Sequence, residues 1–110
     1  GDTALRHVAQ LMEARFKRAS DLVARIGGEE FAVLLPDTNA EEAMQLAQAL
    51  CHTVATTPVP WDAHHIPLTA SIGVDCMRWD LDLTPQASFS RIDSACYTAK
   101  AKGRNRVVQA

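Results

Sequence analysis

Apolar residues recur at helical spacing from the start of the chain. Leu5, Val8, Ala9, Met12 and Phe16 fall on one face behind Asp2, which reads as a helix N-cap, and the spacing predicts a helix ending near Lys17-Arg18. The period then changes. Leu22 to Ile26 reads as a strand, Gly27-Gly28 as a turn and Glu30 to Leu35 as the returning strand. In the second strand both alternating faces are apolar, Phe31, Val33 and Leu35 against Ala32 and Leu34. Such a strand belongs inside a sheet covered by helices.

Pro36-Asp37 stops the strand, and Thr38-Asn39-Ala40-Glu41 reads as a capping box opening a helix to about Val54. Ala43, Ala47, Leu50, Cys51 and Val54 are its inward positions. Residues 56–65 read as a loop, and residues 66–77 as one long strand or a strand bent around Gly73. After an irregular polar stretch, a helix is predicted from Pro85 to Lys102, buried through Phe89, Ile92, Cys96 and Ala99 and capped by Gly103. Asn105 to Gln109 reads as a terminal strand. The order α-β-β-α-β-α-β, without repeats or a linker, predicts one α/β sandwich domain over residues 1–110.

Composition removes several function classes. The 110 residues carry a formal net charge of −2, which offers no basic face to a polymeric nucleic acid. No apolar run approaches the roughly 18 residues of a membrane span, so no membrane contact by this domain is expected, and no signal-peptide pattern opens the sequence. Three widely spaced cysteines without a CxxC pair read as reduced thiols packed as small hydrophobes in a cytosolic protein. His64 and His65 are adjacent and point to opposite strand faces, so no two-ligand metal site is expected there.

Three clusters bear chemistry. At the first hairpin, glycines admit close approach to the backbone, and Glu29 and Glu30 can share a hard cation such as Mg²⁺ completed by substrate phosphates. The alternative is a hairpin whose tip is merely acidic. In AKAKGRNRV at 99–107, Lys100 and Arg104 lie four apart and are expected on one face of a last helical turn. They are either cations answering the helix dipole or a pair gripping phosphate. Arg18 and Asp21 precede the hairpin, as an ordinary surface ion pair or as a grip on a guanine edge or a phosphate.

Taken together, RIGGEEF at 25–31, TASIGV at 69–74 and IDSACYTAKAKGRNRV at 92–107 resemble the GGDEF family, the diguanylate cyclases. Three separated motifs agree in order and spacing over essentially the whole chain. The resemblance implies a fold like the palm of class III nucleotide cyclases and polymerases, with a central, mostly antiparallel sheet flanked by helices. It also implies condensation of two GTP molecules into cyclic di-GMP, with Mg²⁺ or Mn²⁺, across a symmetric homodimer. By position, Gly27 and Gly28 match sites of backbone approach to the nucleotide, Glu29 a catalytic and metal-binding position, and Glu30 a metal ligand. Lys100 and Arg104 match phosphate-binding cations, and Asp2 matches an aspartate that bonds the guanine edge. Arg18 and Asp21 match the RxxD site that binds cyclic di-GMP as inhibitor.

The sequence also departs from the family pattern. The family's first strand, which carries another metal-binding aspartate, and the FKxxND helix have no counterpart here, so the domain is expected to be incomplete at its N-terminus. Cys96 replaces the usual leucine of ALYxAK. The resemblance further implies sensory domains upstream in a cytoplasmic protein that can be membrane-tethered through them. The alternative function is a catalytically incompetent module that binds cyclic di-GMP through Arg18 and Asp21.

Overall fold

The computed structural model describes residues 2–16, 22–27, 30–35, 38–76 and 84–110. Helix α1 (Asp2–Arg15) and helix α2 (Ala40–Thr56) pack together through the predicted apolar faces. Met12 and Phe16 meet Leu50 and Val54 in the buried core, with Val8 and Leu11 against them. Two polar contacts tie the helices: His7 Nε2 donates to the Thr57 carbonyl at 2.8 Å, and Arg15 donates to the Thr53 hydroxyl at 2.9 Å. The cap of α2 sits one residue later than the predicted box. Asn39 is the N-cap, its side-chain oxygen accepting from the Glu42 amide at 2.8 Å, because its extended backbone aims that oxygen at the third helical amide.

Strands β1 (Leu22–Gly27) and β2 (Glu30–Leu34) form an antiparallel hairpin. Leu22 pairs with Leu34 and Arg25 with Phe31, but the last pair is Gly27 with Glu30. The register therefore gains one residue in β1 between Arg25 and Gly27, the signature of a bulge. Gly27, predicted in the turn, therefore belongs to β1, and residues 28–29 lie outside the described residues.

The segment read as loop and long strand is instead divided. β3 (Val59–Trp61) and β4 (His64–Ile66) make a second antiparallel hairpin around Asp62-Ala63. Asp62 adopts φ 56°, a left-handed conformation that short polar residues tolerate, and this reverses the chain. Pro67 lacks an N–H to extend the ladder. Val59, 2% exposed, anchors this hairpin beside α1.

β5 (Ser71–Val74) pairs in parallel with the C-terminal β6 (Arg106–Gln109), the crossover between them being α3 (Pro85–Ala101). The pair lies between helices, in contact with both α2 and α3. Leu68, Ala70 and Ile72 pack toward the α1–α2 core, whereas Gly73 abuts α3. This alternation is the period-two rule in a strand buried on both sides. Among the described residues the strands thus form three pairs, two antiparallel and one parallel.

The buried face of α3 differs from prediction. Ala99 is buried as expected and Ser88 and Ala95 are buried with it, whereas Phe89 is 49% exposed. A Cβ at Gly73 would lie 2.4 Å from the Ile92 carbonyl oxygen and 2.8 Å from the Cys96 amide nitrogen. Helix backbone on strand backbone leaves room for small side chains only, which turns the bulky Phe89 outward. The three cysteines are free thiols, but only Cys51 is buried, and Cys76 is exposed rather than packed. Among the described residues no helix is long and apolar enough to cross a membrane.

Candidate functional site

The bulge places Gly27 opposite Glu30 at the closed end of the first hairpin, with two residues between them in sequence. The glycine thus sits at the last rung of the ladder. Gly28 and Glu29 fall outside the described residues, as do Arg18 and Asp21. Asp2 begins α1 rather than preceding it. Among the described residues no group of three or more His, Cys, Asp or Glu side chains is brought together as a metal site.

The second predicted cluster is built differently from expectation. Lys100 occupies the last turn of α3, exposed and beside the negative end of the helix dipole. Arg104 is not on the helix. α3 ends at Ala101, and the chain leaves through Gly103, Arg104 and Asn105, with φ of 118°, 64° and 49°. The Gly103 amide donates to the Lys100 carbonyl at 3.3 Å and the Arg104 amide to the Ala99 carbonyl at 3.0 Å. These two bonds form a Schellman closure, with glycine at the position where a Cβ is least tolerated. Lys100 and Arg104 are therefore set by a capped turn, not by i,i+4 helical spacing.

That turn is held from several sides. Arg106 Nε donates to the Arg104 carbonyl at 3.1 Å, and the Arg106 amide donates to the Ala70 carbonyl at 3.2 Å, tying the exit of the turn to β5. Cys51 Sγ lies 3.6 Å from both Asn105 Oδ1 and the Ala70 carbonyl. Burial pushes the Cys51 thiol pKa up. Among the described residues neither the Lys100 ammonium nor the Arg104 guanidinium forms an ion pair, so both cations face solvent.

Two contacts escaped the sequence. Asp75, just beyond β5, accepts from Arg91 Nε of α3 at 2.6 Å, and its side chain is only 4% exposed. Nothing in a 16-residue separation announces this pair. Gly73, expected within one long strand or at a bend in it, lies within β5 and is the slot into which α3 fits.

The architecture is that of a small α/β domain with a Gly-Gly-Glu-Glu hairpin at one place and a capped Lys/Arg turn at another. The family model described as "Diguanylate cyclase, GGDEF domain" matches residues 1–106, and the chain belongs to that family. Diguanylate cyclase A of Treponema denticola is 38% identical over 97% of this chain and 28% of its own length. Response regulator PleD of Caulobacter vibrioides is 42% identical over 98% of this chain and 24% of its own length. The chain thus spans about a quarter of these curated relatives.

Solved structures agree in fold. The diguanylate cyclase SiaD of Pseudomonas aeruginosa, solved with its activator SiaC, superposes with a TM-score of 0.89 at 35% identity, over 99% of this chain and 41% of that one. The coiled-coil and GGDEF portion of DgcB from Caulobacter crescentus, solved in complex with c-di-GMP, gives 0.85 at 25% identity, over 99% of this chain and 57% of that one.

Proposed function

We propose that the protein carrying this chain is a diguanylate cyclase, condensing two GTP molecules into one cyclic di-GMP and two pyrophosphates within a symmetric homodimer. In each of two steps a ribose 3′-oxygen forms a bond to the α-phosphorus of the other GTP and gives up its proton. The bond from that phosphorus to the bridging oxygen breaks, and pyrophosphate leaves. The domain's contribution is to orient the two nucleotides and to stabilise charge in the in-line arrangement.

The reading rests on the hairpin that pairs Gly27 with Glu30, within a chain of the GGDEF family. Gly27 and Gly28 leave room for nucleotide beside the backbone. The carboxylates of Glu29 and Glu30 are oxygen donors that fit Mg²⁺ or Mn²⁺, and they would hold it. Such an ion, when bound, offsets phosphate charge and polarises the α-phosphoryl group. Glu29 also serves the reacting 3′-hydroxyl. Lys100 and the forked Arg104 grip phosphate oxygens, and Asp2 accepts from the guanine edge. Arg18 and Asp21 match the RxxD pattern and bind cyclic di-GMP as inhibitor; DgcB, a GGDEF relative, was solved in complex with that nucleotide. GTP as substrate puts the domain in the cytoplasm.

The test is product formation by the full-length protein supplied with GTP and Mg²⁺. Cyclic di-GMP is expected from wild type and not from Glu30→Ala, whose stability should stay within about 0.5 kcal/mol, as for an acid at a hairpin end. Unfolding of that variant would make Glu30 structural. Arg18→Ala is expected to weaken cyclic di-GMP binding, and equal binding would remove Arg18 from the inhibitory site. A wild type that binds cyclic di-GMP but forms none is the binding module instead.

A further inference from the structure

We infer that the Asp75–Arg91 ion pair is a register pin for α3 that positions Lys100 and Arg104, an inference that rests on the reading of those two cations as phosphate-binding. Asp75 follows the last residue of β5, and Arg91 lies in the second turn of α3. The Nε–Oδ2 separation is 2.6 Å, with the carboxylate side 4% exposed and the guanidinium side 29%. Removing a carboxylate this far from water is costly, and well-packed apolar residues often serve stability as well or better. What a directional, charged contact adds is a unique placement of one element against another.

α3 has reason to need one. Its buried side chains are small, Ser88, Ala95 and Ala99, and Gly73 of β5 lies against the Ala95 side chain and the backbone of Ile92 and Cys96. Small side chains over a glycine form a smooth track that resists separation more than sliding. Among the described residues, Cys96 Sγ also donates across this face to the Ser71 carbonyl at 3.3 Å, but a thiol is a weak donor. The Arg91–Asp75 bond is short, charged and aimed, so it fixes where along β5 the helix stops.

The consequence appears at the other end. Lys100 lies nine residues beyond Arg91, roughly 13 Å along a rigid helix. The Schellman turn then passes straight into β6, which is bonded to β5 from Arg106 to Ala110. β5, α3, the turn and β6 thus form a closed frame pinned at Asp75. An axial shift of α3 cannot be absorbed by β6 and falls on residues 100–105, where both cations sit.

The test compares full-length wild type with Asp75→Asn, which keeps the volume and loses the charge, and with Arg91→Lys, which keeps the charge and loses Nε. A pin predicts that the KM for GTP and the inhibition constant of pyrophosphate both rise, by about tenfold for Asp75→Asn and less for Arg91→Lys, since sub-ångström misplacement is expensive at such sites. A merely structural pair would lower the melting temperature and the active fraction, reducing apparent kcat while leaving KM unchanged, and that result overturns the inference. Amide exchange across residues 99–106 supplies a readout independent of turnover, expected about tenfold faster in Asp75→Asn with α2 unaltered. Unchanged exchange there refutes the pin even if the protein proves not to be a cyclase. Faster exchange in a protein that turns over no GTP keeps the pin and sinks the functional reading.

Discussion

Gly73→Ala tests the central packing contact of the domain. The added Cβ would stand 2.4 Å from the Ile92 carbonyl oxygen, against an ordinary carbon–oxygen approach of about 3.3 Å. α3 or β5 must retreat by roughly 0.9 Å, because both neighbouring atoms are backbone and cannot rotate away. A gap of that size forfeits about a quarter to a half of the dispersion attraction along the contact, here the rows carrying Ala95 and Ala99. Overpacking of this kind costs about 1–3 kcal/mol, and the stiffer unfolded chain returns about 0.4–1 kcal/mol. The net expectation is a loss of about 1 kcal/mol, read as a lower urea midpoint at unchanged slope. A midpoint equal to or above wild type would refute the close approach of helix and strand.

Other substitutions probe separate links. Asn39→Ala removes the side-chain cap from the Glu42 amide and should cost about 1 kcal/mol in the same unfolding assay. Gly103→Ala places a Cβ at φ 118°, 3.1 Å from the Arg106 guanidinium, and should destabilise by about 1 kcal/mol or more while loosening the turn in amide exchange. For Cys51 the sign of the pH effect is fixed by its raised pKa. The folded state retains the proton longer than the unfolded state, so the thiol's contribution is complete below the unfolded value of about 8.5 and declines as pH rises through the folded value. Wild type should therefore lose more stability above that pH than Cys51→Ala. An alkylating reagent at neutral pH should modify exposed Cys76 well before Cys51.

Much of this protein is written locally. Helical spacing gave both faces of the α1–α2 core, and Met12, Phe16, Leu50 and Val54 meet as their periodicity requires. The motif residues Gly27, Glu30, Lys100 and Arg104 were legible because their types and order carry the family pattern. Register was less so: the extra residue in β1 depends on how two strands meet, and no single-strand pattern encodes it. The second hairpin was hidden because Asp62 and Ala63 are ordinary residues whose turn is fixed by pairing across β3 and β4.

Tertiary structure decided what happens between distant elements. Phe89 satisfies the helical period yet faces outward, because Gly73 draws α3 too close for a large side chain. Arg104 sits four residues after Lys100 yet leaves the helix, because Gly103 can take the left-handed conformation that closes α3 and starts the return to β6. The Asp75–Arg91 pair exists only once β5 and α3 are stacked. Composition and period fix which residues seek burial, since those depend on each residue and its near neighbours. Where a helix stops along a strand depends on backbone contacts across the fold, and the three-dimensional packing alone determines that.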